Sequence, residues 1–249
     1  MRVVSWNMAH TRRSWEYLAE LDPDIALLQE ANPSLAPALV RERWPDWVMW
    51  PVDTWGWGSA ILAKPALELS PYPGGPDGME IQGWIATGSI RLADGESAIV
   101  GSVHAPPFRI TEQFLGRHNP DAIRLPRYRV PRTFDIAYAT LLERVRGRRF
   151  IAGGDWNISR DLWRVYHPES RDIDFFDRAA ADGWVDCYRR DHKHEGQTWF
   201  RAGNLGYQFD HVFCDEVTSA SMRSCEIDAH PASCLRMSDH APLTLRFDD

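Results

Sequence analysis

The sequence has no long apolar run and no internal repeat, and each absence excludes a class of protein. No apolar stretch approaches the roughly 18 residues that a membrane-spanning helix needs. The start of the chain, MRVVSWNMAH, holds too short an apolar run for a secretory signal. We therefore expect a cytoplasmic protein that does not associate with a membrane.

Cysteine is also scarce. The four cysteines are Cys187, Cys214, Cys225 and Cys234, and none has the C-x-x-C spacing of a metal or redox motif. Free thiols are favoured for a protein of the reducing cytoplasm. The sequence does not exclude a disulfide between Cys225 and Cys234.

Positive charge is in the minority, and lysine is almost missing. The formal net charge is -7, and of the 28 basic residues only Lys64 and Lys193 are lysine, a bias that we attribute to genome composition. This balance argues against a protein that coats a phosphate backbone with positive charge. The negative net charge does not exclude a nuclease. An enzyme that releases its product can keep positive charge local, and metal-binding carboxylates make the net charge more negative.

The pattern of apolar residues predicts one domain over residues 1–249, since no long linker interrupts it. Many strands with few helices between them favour an α+β fold in which sheet packs on sheet and helices cover the outer faces. The predicted strands are 2–6, 25–28, 47–50, 59–63, 84–92, 98–104, 149–152, 207–214 and 242–247. The predicted helices are 13–21, one between Pro33 and Pro45, 133–145 and 173–182.

Polar side chains recur where the predicted strands end. Each alone has an ordinary explanation, such as a helix cap or a surface ion pair. Because strands of one sheet edge end near one another, six such coincidences predict a common rim. The residues are Asn7, Glu30, His104, Asp155 with Asn157, Asp210 with His211, and Asp239 with His240.

The residue types at this rim indicate a chemistry. Carboxylates with an amide suit a hard cation such as Mg²⁺ or Mn²⁺, whereas zinc would recruit cysteine and histidine. A histidine beside an aspartate can transfer a proton or stabilise charge. Metal, acids, amide and histidine together are what phosphoester hydrolysis requires.

The segments SWN, LQE, GSVH, GGDWN, FDHVF and SDHAPL, in this order, resemble the endonuclease/exonuclease/phosphatase superfamily, which includes DNase I, exonuclease III-type repair nucleases and neutral sphingomyelinases. The resemblance runs from Asn7 to His240, nearly the whole chain. It implies a four-layer α/β/β/α sandwich of two packed, mainly antiparallel sheets with outer helices. It also implies a phosphoesterase that depends on Mg²⁺ (or Mn²⁺).

The resemblance implies which residues hold the metal. Glu30 matches the principal metal-binding carboxylate, Asn7 the amide beside it, and Asp239 a second acid near the ion. His104 matches a catalytic-site histidine of the DNase and sphingomyelinase branches. Exonuclease III-like repair enzymes place a tyrosine there, which argues against abasic-site repair.

The resemblance also implies the catalytic groups. Asp155 and Asn157 match the pair that orients the attacking water and contacts the phosphate. His240 matches the histidine at the phosphate, and Asp210 the carboxylate that orients it. Either Asp155 or His240 can be the base. His211 should point to the opposite face of its strand, where we expect a structural role.

The GGDWN segment gives two local expectations. Gly153 and Gly154 predict a tight backbone path at which a phosphate approaches closely. If the segment stays extended, Asp155 and Asn157 face the same side while Trp156 turns inward.

Substrate contacts are predicted outside the rim. Residues 105–132 carry many arginines, of which Arg124 and Arg127 are candidates for additional phosphate contacts, unless these arginines pair with the protein's own acids. Among the tryptophans, Trp55, Trp57 and Trp163 lie in or beside predicted loops and could stack on bases. A nuclease acting on DNA or RNA is the first hypothesis, with no obligate protein partner. The alternatives are a phosphatase or phosphodiesterase for a small phosphorylated molecule, and a catalytically silent binding protein.

Overall fold

Two six-stranded sheets pack face to face in the computed structural model of the protein. The structure describes residues 1–49, 56–72, 83–107, 132–161, 171–200 and 206–248, without the side chains of residues 171–173. The first sheet contains β1 (Arg2–Asn7), β2 (Ile25–Ala31), β3 (Asp46–Met49), β4 (Gly58–Ala63), β11 (Met222–Ile227) and β12 (Leu243–Phe247). Its order is β11-β12-β1-β2-β4-β3, in which β1 and β2 are parallel and the other neighbours are antiparallel.

The second sheet repeats this arrangement. It contains β5 (Ser70–Pro71), β6 (Ile85–Arg91), β7 (Ser97–His104), β8 (Arg149–Asp155), β9 (Val185–Asp186) and β10 (Asp210–Cys214). Its order is β5-β6-β7-β8-β10-β9, and here β7 and β8 are the parallel pair. Each sheet therefore holds one parallel pair among antiparallel neighbours.

Seven α-helices fall within the described ranges. They are α1 (Arg12–Leu21), α2 (Ala38–Arg43), α3 (Thr133–Val145), α4 (Arg171–Ala181), α5 (Cys187–Asp191), α6 (Glu216–Ala220) and α7 (His230–Ser233). The predicted helix after Pro33 is wrong as one element, because it divides into a 3-10 turn at Pro33–Leu35 and α2. Pro37 explains the break, since a residue before proline is disfavoured in the helical region and Ala36 is extended.

Three apolar layers separate four layers of secondary structure. Between the sheets lie side chains such as Leu27, Val100 and Val212. A second layer joins α1 and α2 to the first sheet, and a third joins α3 and α4 to the second sheet through aromatic residues such as Phe175. This arrangement confirms the predicted α/β/β/α sandwich. It forms because each sheet carries apolar residues on both of its faces and must bury both.

The glycines of GGDWN lie inside a strand, so the predicted end of β8 at residue 152 is wrong. β8 continues to Asp155. A Cβ on Gly154 would lie 1.9 Å from the carbonyl oxygen of Val103 in β7, and a Cβ on Gly153 would lie 2.9 Å from Ser5 Oγ in the opposite sheet. The protein's own backbone and facing sheet therefore require these glycines, rather than an approaching phosphate.

All four cysteines are free thiols, so the disulfide between Cys225 and Cys234 does not form. The Sγ atoms of Cys187 and Cys214 lie 3.4 Å apart in the core. Within the described ranges, no helix is long and apolar enough to cross a membrane. The single domain over residues 1–249 stays a prediction.

Candidate active site

The candidate site lies where the two parallel pairs end. β1 ends at Asn7, and Glu30 is the next-to-last residue of β2. In the other sheet, β7 ends at His104 and β8 ends at Asp155, and these two residues pair in the register. Because parallel strands end at the same edge and the sheets face each other, the four side chains meet at one rim.

Asn7 joins the two sheets at this rim. Its buried Nδ2 donates to Glu30 Oε1 at 3.2 Å and to Asp155 Oδ2 at 3.1 Å, while its Oδ1 accepts from the backbone N of Ala9 at 3.1 Å. Glu30 has a left-handed φ of 49° beside an irregularity in the pairing of β2 with β4. The amide thus holds two carboxylates close together, which would otherwise repel each other.

A histidine and an aspartate extend the site. His240 Nδ1 lies 2.8 Å from Asp210 Oδ2, and His240 Nε2 lies 3.7 Å from Asp155 Oδ2. All three side chains are buried. The pairing fixes the orientation of the imidazole ring and leaves Nε2 facing Asp155.

The loop that carries His240 is fastened to β1. Ser238 Oγ donates to the backbone carbonyl of Asn7 at 2.7 Å and accepts from the backbone N of His240 at 3.0 Å. Trp6 Nε1 donates to the backbone carbonyl of His240 at 2.9 Å. These bonds explain how a residue 233 positions after Asn7 reaches the same rim.

Burial and neighbouring charges move the pKa values of two groups in this cluster. Burial alone would lower the pKa of His240, but the charges of Asp210 and Asp155 and the hydrogen bond to Asp210 raise it to about 10. Burial raises the pKa of Asp155 to about 7, against the lowering effect of His240 and of hydrogen bonds from Asn7 and from the backbone N of Asn157. His240 is therefore charged at neutral pH, and the pKa of Asp155 lies close to neutral pH.

His104 behaves in the opposite way. Burial, reinforced by the charges of His240 and His10, lowers the pKa of His104 to about 3, so its ring is neutral. Its Nε2 lies 3.6 Å from Glu30 Oε1 and 3.9 Å from Asp155 Oδ2. Among the described residues, its buried Nδ1 has no hydrogen-bond partner.

Asn157 does not continue the extended path of Asp155, so the expectation of an extended GGDWN segment is wrong. Its φ is 51°, and its backbone N donates to Asp155 Oδ1 at 3.1 Å. The chain therefore turns around the Asp155 carboxylate. Trp156 points inward, fully buried against Phe175 and Phe213.

Within the described residues, Asp239 shows no hydrogen bond to Asn7, Glu30 or Asp155. Asp239 is exposed, and its Oδ2 accepts a hydrogen bond from Trp199 Nε1 at 3.2 Å. Its charge helps to raise the pKa of His240. Asp239 therefore lies at the outer side of His240.

His211 lies on the other face of β10 from Asp210 and is completely buried. Its Nε2 bonds the backbone carbonyl of Ile158 at 3.1 Å, and its Nδ1 lies 3.2 Å from Gln208 Nε2 and 3.5 Å from Asp186 Oδ2. Both ring nitrogens have partners within the protein. His211 thus holds the segment that follows GGDWN.

Four residues at the rim had no predicted role. His10 Nε2 lies 3.0 Å from Glu30 Oε2. Trp199, Tyr207 and Phe209 form a half-exposed aromatic group beside Asp239, with ring centroids of Trp199 and Phe209 5.3 Å apart. Among the described residues, Trp199 pairs with Tyr207 and with His240 through isolated bridges and lies in none of the named strands.

Of the predicted substrate contacts, Trp57 lies at the site. Its ring centroid is 4.6 Å from that of His10 and 5.8 Å from that of His104. The other predicted contacts, Trp55, Arg124, Arg127 and Trp163, lie outside the described residues.

The donor set of the rim fits a hard cation. Glu30 and Asp155 each direct a carboxylate oxygen to the same amide hydrogen-bond donor of Asn7, so the space between them suits positive charge. Asp155, Asp210 and His240 also bring ligand atoms within 4.8 Å of one another. The 2.8 Å bond between Asp210 and His240 already engages that pair, so we favour the Glu30 side for an ion.

Comparisons with known proteins identify the family and the fold. The model of the Endonuclease/Exonuclease/phosphatase family matches residues 4–240. A search of the curated proteins found no match. Similar solved structures include a 3′-5′ exonuclease (NExo) from Neisseria meningitidis, with a TM-score of 0.70, 20% identity and full coverage of both chains. An AP endonuclease from Archaeoglobus fulgidus has a TM-score of 0.69 and 19% identity, again with full coverage of both chains.

A third structure is described as the 3′ phosphatase NExo from Neisseria bound to a product DNA hairpin. It has a TM-score of 0.70 and 19% identity, and the match covers both chains completely. At these identities the structures show a common fold. The family model spans nearly the whole sequence, and the chain therefore belongs to the Endonuclease/Exonuclease/phosphatase family.

Proposed function

We propose that the protein is a divalent-metal-dependent phosphodiesterase that hydrolyses DNA or RNA. The observation that carries this proposal is the meeting of Asn7, Glu30 and Asp155 from both sheets with the paired His240 and Asp210. Such a site combines a place for a hard cation with two groups that can handle a proton. Family membership supports the reaction class, since fold alone does not define a function.

Glu30 is the proposed principal metal ligand, with Asn7 beside it. The ligand oxygens would come from the half-buried carboxylate of Glu30 and the nearby carboxylate of Asp155, and the buried Asn7 amide, whose Nδ2 donates to both, would position them. When bound, Mg²⁺ or Mn²⁺ would supply the positive charge that polarises the phosphoryl group. Asp239, at the outer side of His240, stays a proposed second acid of the site.

Asp155 is the proposed base, and His240 the proposed positive partner of the phosphate. The raised pKa of His240 favours a charged ring whose Nε2 can donate to a phosphoryl oxygen. A carboxylate with a pKa near 7 accepts a proton from water efficiently at neutral pH. Asp210 keeps the ring of His240 in one orientation. We therefore favour Asp155 over His240, the two bases that the sequence left open.

His104 and Asn157 are proposed neutral donors to the phosphate. The neutral ring of His104 can donate a hydrogen bond without adding a charge that would attract Glu30 and Asp155 away from a metal. Asn157 is half-buried and lies at the turn that the chain makes around the Asp155 carboxylate.

Nucleic acid is favoured as substrate by two observations. One structural neighbour is described as bound to a product DNA hairpin. The half-exposed rings of Trp199, Tyr207 and Phe209 lie next to Asp239, where a base or sugar could pack. A phosphatase that removes a terminal phosphate is the second candidate, since the same neighbour is described as a 3′ phosphatase.

Hydrolysis of a substrate panel tests the proposal. The panel contains duplex DNA, single-stranded DNA, RNA, 3′-phosphorylated oligonucleotides and small phosphomonoesters, each with Mg²⁺, Mn²⁺ or EDTA. We expect metal-dependent cleavage of a nucleic acid and a loss on the order of 10³-fold in Asp155→Asn. Asp94→Asn, at a surface ion pair with Arg149, is the control that should retain activity. Cleavage that persists in EDTA or in Asp155→Asn would reject the proposal.

Arg124, Arg127, Trp55, Trp57 and Trp163 remain proposed substrate contacts. Replacing Arg124 and Arg127 by alanine should raise KM for nucleic acid more than it lowers kcat, since these side chains would bind phosphates away from the reacting bond. The rise should shrink as salt increases. An unchanged KM at low salt would remove these two arginines from the substrate site.

A further inference from the structure

His10 approaches the proposed metal ligand from the side that Asn7 leaves open. His10 Nε2 lies 3.0 Å from Glu30 Oε2, whereas Asn7 contacts the other carboxylate oxygen, Oε1. The His10 side chain is 39% exposed, so one side of the pair is open to an ion from solvent. Glu30 is thus flanked by an amide on one oxygen and an imidazole nitrogen on the other.

The backbone holds His10 in this place. Ala9 and His10 have left-handed φ values of 47° and 51°, an uncommon conformation for two successive residues that are not glycine. The segment is kept there by a bond from the Ala9 backbone N to Asn7 Oδ1 and one from the His10 backbone N to the Glu30 carbonyl, 3.2 Å long. Backbone strain of this kind persists where surrounding contacts enforce it, and it is concentrated at functional sites.

Aromatic contacts orient the imidazole ring. Trp57 packs on His10 with a ring-centroid distance of 4.6 Å and an interplanar angle of 32°. Trp57 also contacts His104, whose Nε2 lies 3.6 Å from Glu30 Oε1. His10 and His104 therefore each place an Nε2 near a Glu30 oxygen, and Trp57 packs on both imidazole rings.

A second histidine of the protein provides a comparison. His192 stacks on Tyr188 at 4.0 Å, and its Nε2 lies 3.8 Å from Glu226 Oε2. The side chain of Glu226 is 66% exposed, and its pair with His192 is a surface ion pair. His10 differs because its glutamate is half-buried and is joined by Asn7 to a second carboxylate.

We propose that His10 is a nitrogen ligand of the divalent ion bound at Glu30, and that this ligand gives the site a preference for Mn²⁺ over Mg²⁺. The inference rests on the proposed metal-dependent function. Two neighbouring ligands of an octahedral ion with bonds of about 2.1 Å lie about 3.0 Å apart. The observed separation of 3.0 Å between His10 Nε2 and Glu30 Oε2 matches this spacing. Imidazole binds transition ions better than Mg²⁺, which prefers oxygen.

Pulsed electron paramagnetic resonance of Mn²⁺ added to the full chain tests the ligand directly. The wild type should show modulation from a coordinated imidazole nitrogen. The signal should disappear in His10→Gln and persist in His192→Gln, the matched control. A wild-type spectrum without a coordinated nitrogen, or a nitrogen signal that survives in His10→Gln, overturns the proposal without reference to turnover.

Metal titration followed by calorimetry gives the second readout. In His10→Gln the affinity for Mn²⁺ should fall more than about tenfold, while that for Mg²⁺ changes much less. Equal losses for both ions would overturn the claimed selectivity. Failure of the wild type to bind either ion would instead reject the proposed metal dependence itself, whereas metal-dependent hydrolysis with unaltered Mn²⁺ affinity in His10→Gln would reject only the role of His10.

Discussion

Two histidine–aspartate pairs lie on opposite faces of β10, and only one of them faces the rim. Asp210 and His211 are consecutive in this strand, so their side chains point in opposite directions. Asp210 holds His240 at 2.8 Å, and His240 Nε2 is left 3.7 Å from Asp155. His211 lies 3.5 Å from Asp186, and its Nε2 is bonded to the Ile158 carbonyl.

The difference is the second ring nitrogen. Burial alone would lower the pKa of His211, but Asp186 outweighs this effect, and the pKa lies above its ordinary value of 6.5. The pKa of His240 is raised to about 10. A carboxylate partner and a raised pKa are therefore common to both pairs. Since a carbonyl oxygen only accepts, His211 Nε2 must carry a hydrogen for Ile158. What distinguishes His240 is a nitrogen that remains available to a substrate.

The largest expected effect comes from removing the ring of His240. His240→Gln should lower kcat on the order of 10³-fold, because the charged donor to the phosphate is lost. The free energy of unfolding should also fall, because the buried Asp210 carboxylate loses its partner, so kcat is compared under conditions in which both proteins are folded. Initial rates with Mg²⁺ and urea unfolding measure the two quantities. A variant that is inactive only because it is unfolded would contradict the assignment.

Removing the other histidine should lower stability without a comparable loss of kcat. His211→Gln leaves Asp186 and the Ile158 carbonyl without their partner, and we expect a loss of about 3 kcal/mol in the free energy of unfolding. Once folded, the variant should keep kcat within a few-fold of the wild type. Urea unfolding and rates below the unfolding transition check both. A loss of kcat as large as that of His240→Gln would erase the proposed difference between the pairs.

The smallest expected effect is on the pH dependence of stability. Because the pKa of His211 is higher in the folded protein than its ordinary 6.5, its protonation stabilises the fold. This stabilisation is fully present below pH 6.5 and is lost as pH rises through the folded pKa. The stability difference between wild type and His211→Gln should therefore narrow toward alkaline pH. A difference that widens with pH would contradict the pairing with Asp186.

The sequence predicted those parts of the site that follow strand periodicity. Asn7, His104 and Asp155 end or follow apolar runs, and their convergence was predicted because strands of one sheet edge end near one another. The inward turn of Trp156 follows from the same alternation. The predicted packing of sheet on sheet was confirmed because the apolar runs fill layers on both faces of each sheet, whereas β5, β9 and β11 were not predicted.

The sequence did not predict the parts that depend on irregular backbone. His10 reaches Glu30 through left-handed φ values at Ala9 and His10, which no local signal marks. Asn157 was predicted as a site residue, but its left-handed φ, which turns the chain around Asp155, was not. Trp199 joins the rim through single bridges rather than a strand. The glycines of GGDWN were recognised as places of close approach, but the neighbours are the backbone of β7 at Gly154 and the facing sheet at Gly153, which only the tertiary structure reveals.

A double-mutant cycle on Asp210 and His240 tests the central claim most directly, since it asks whether the pair acts as one unit at Asp155. We expect Asp210→Asn alone to lower kcat on the order of 10²-fold, because Asp210 acts by orienting and charging His240. The double variant, Asp210→Asn with His240→Gln, should then be no slower than His240→Gln within about threefold. If the two losses multiply, Asp210 acts independently of His240, as a metal ligand would, and the account of the rim is wrong.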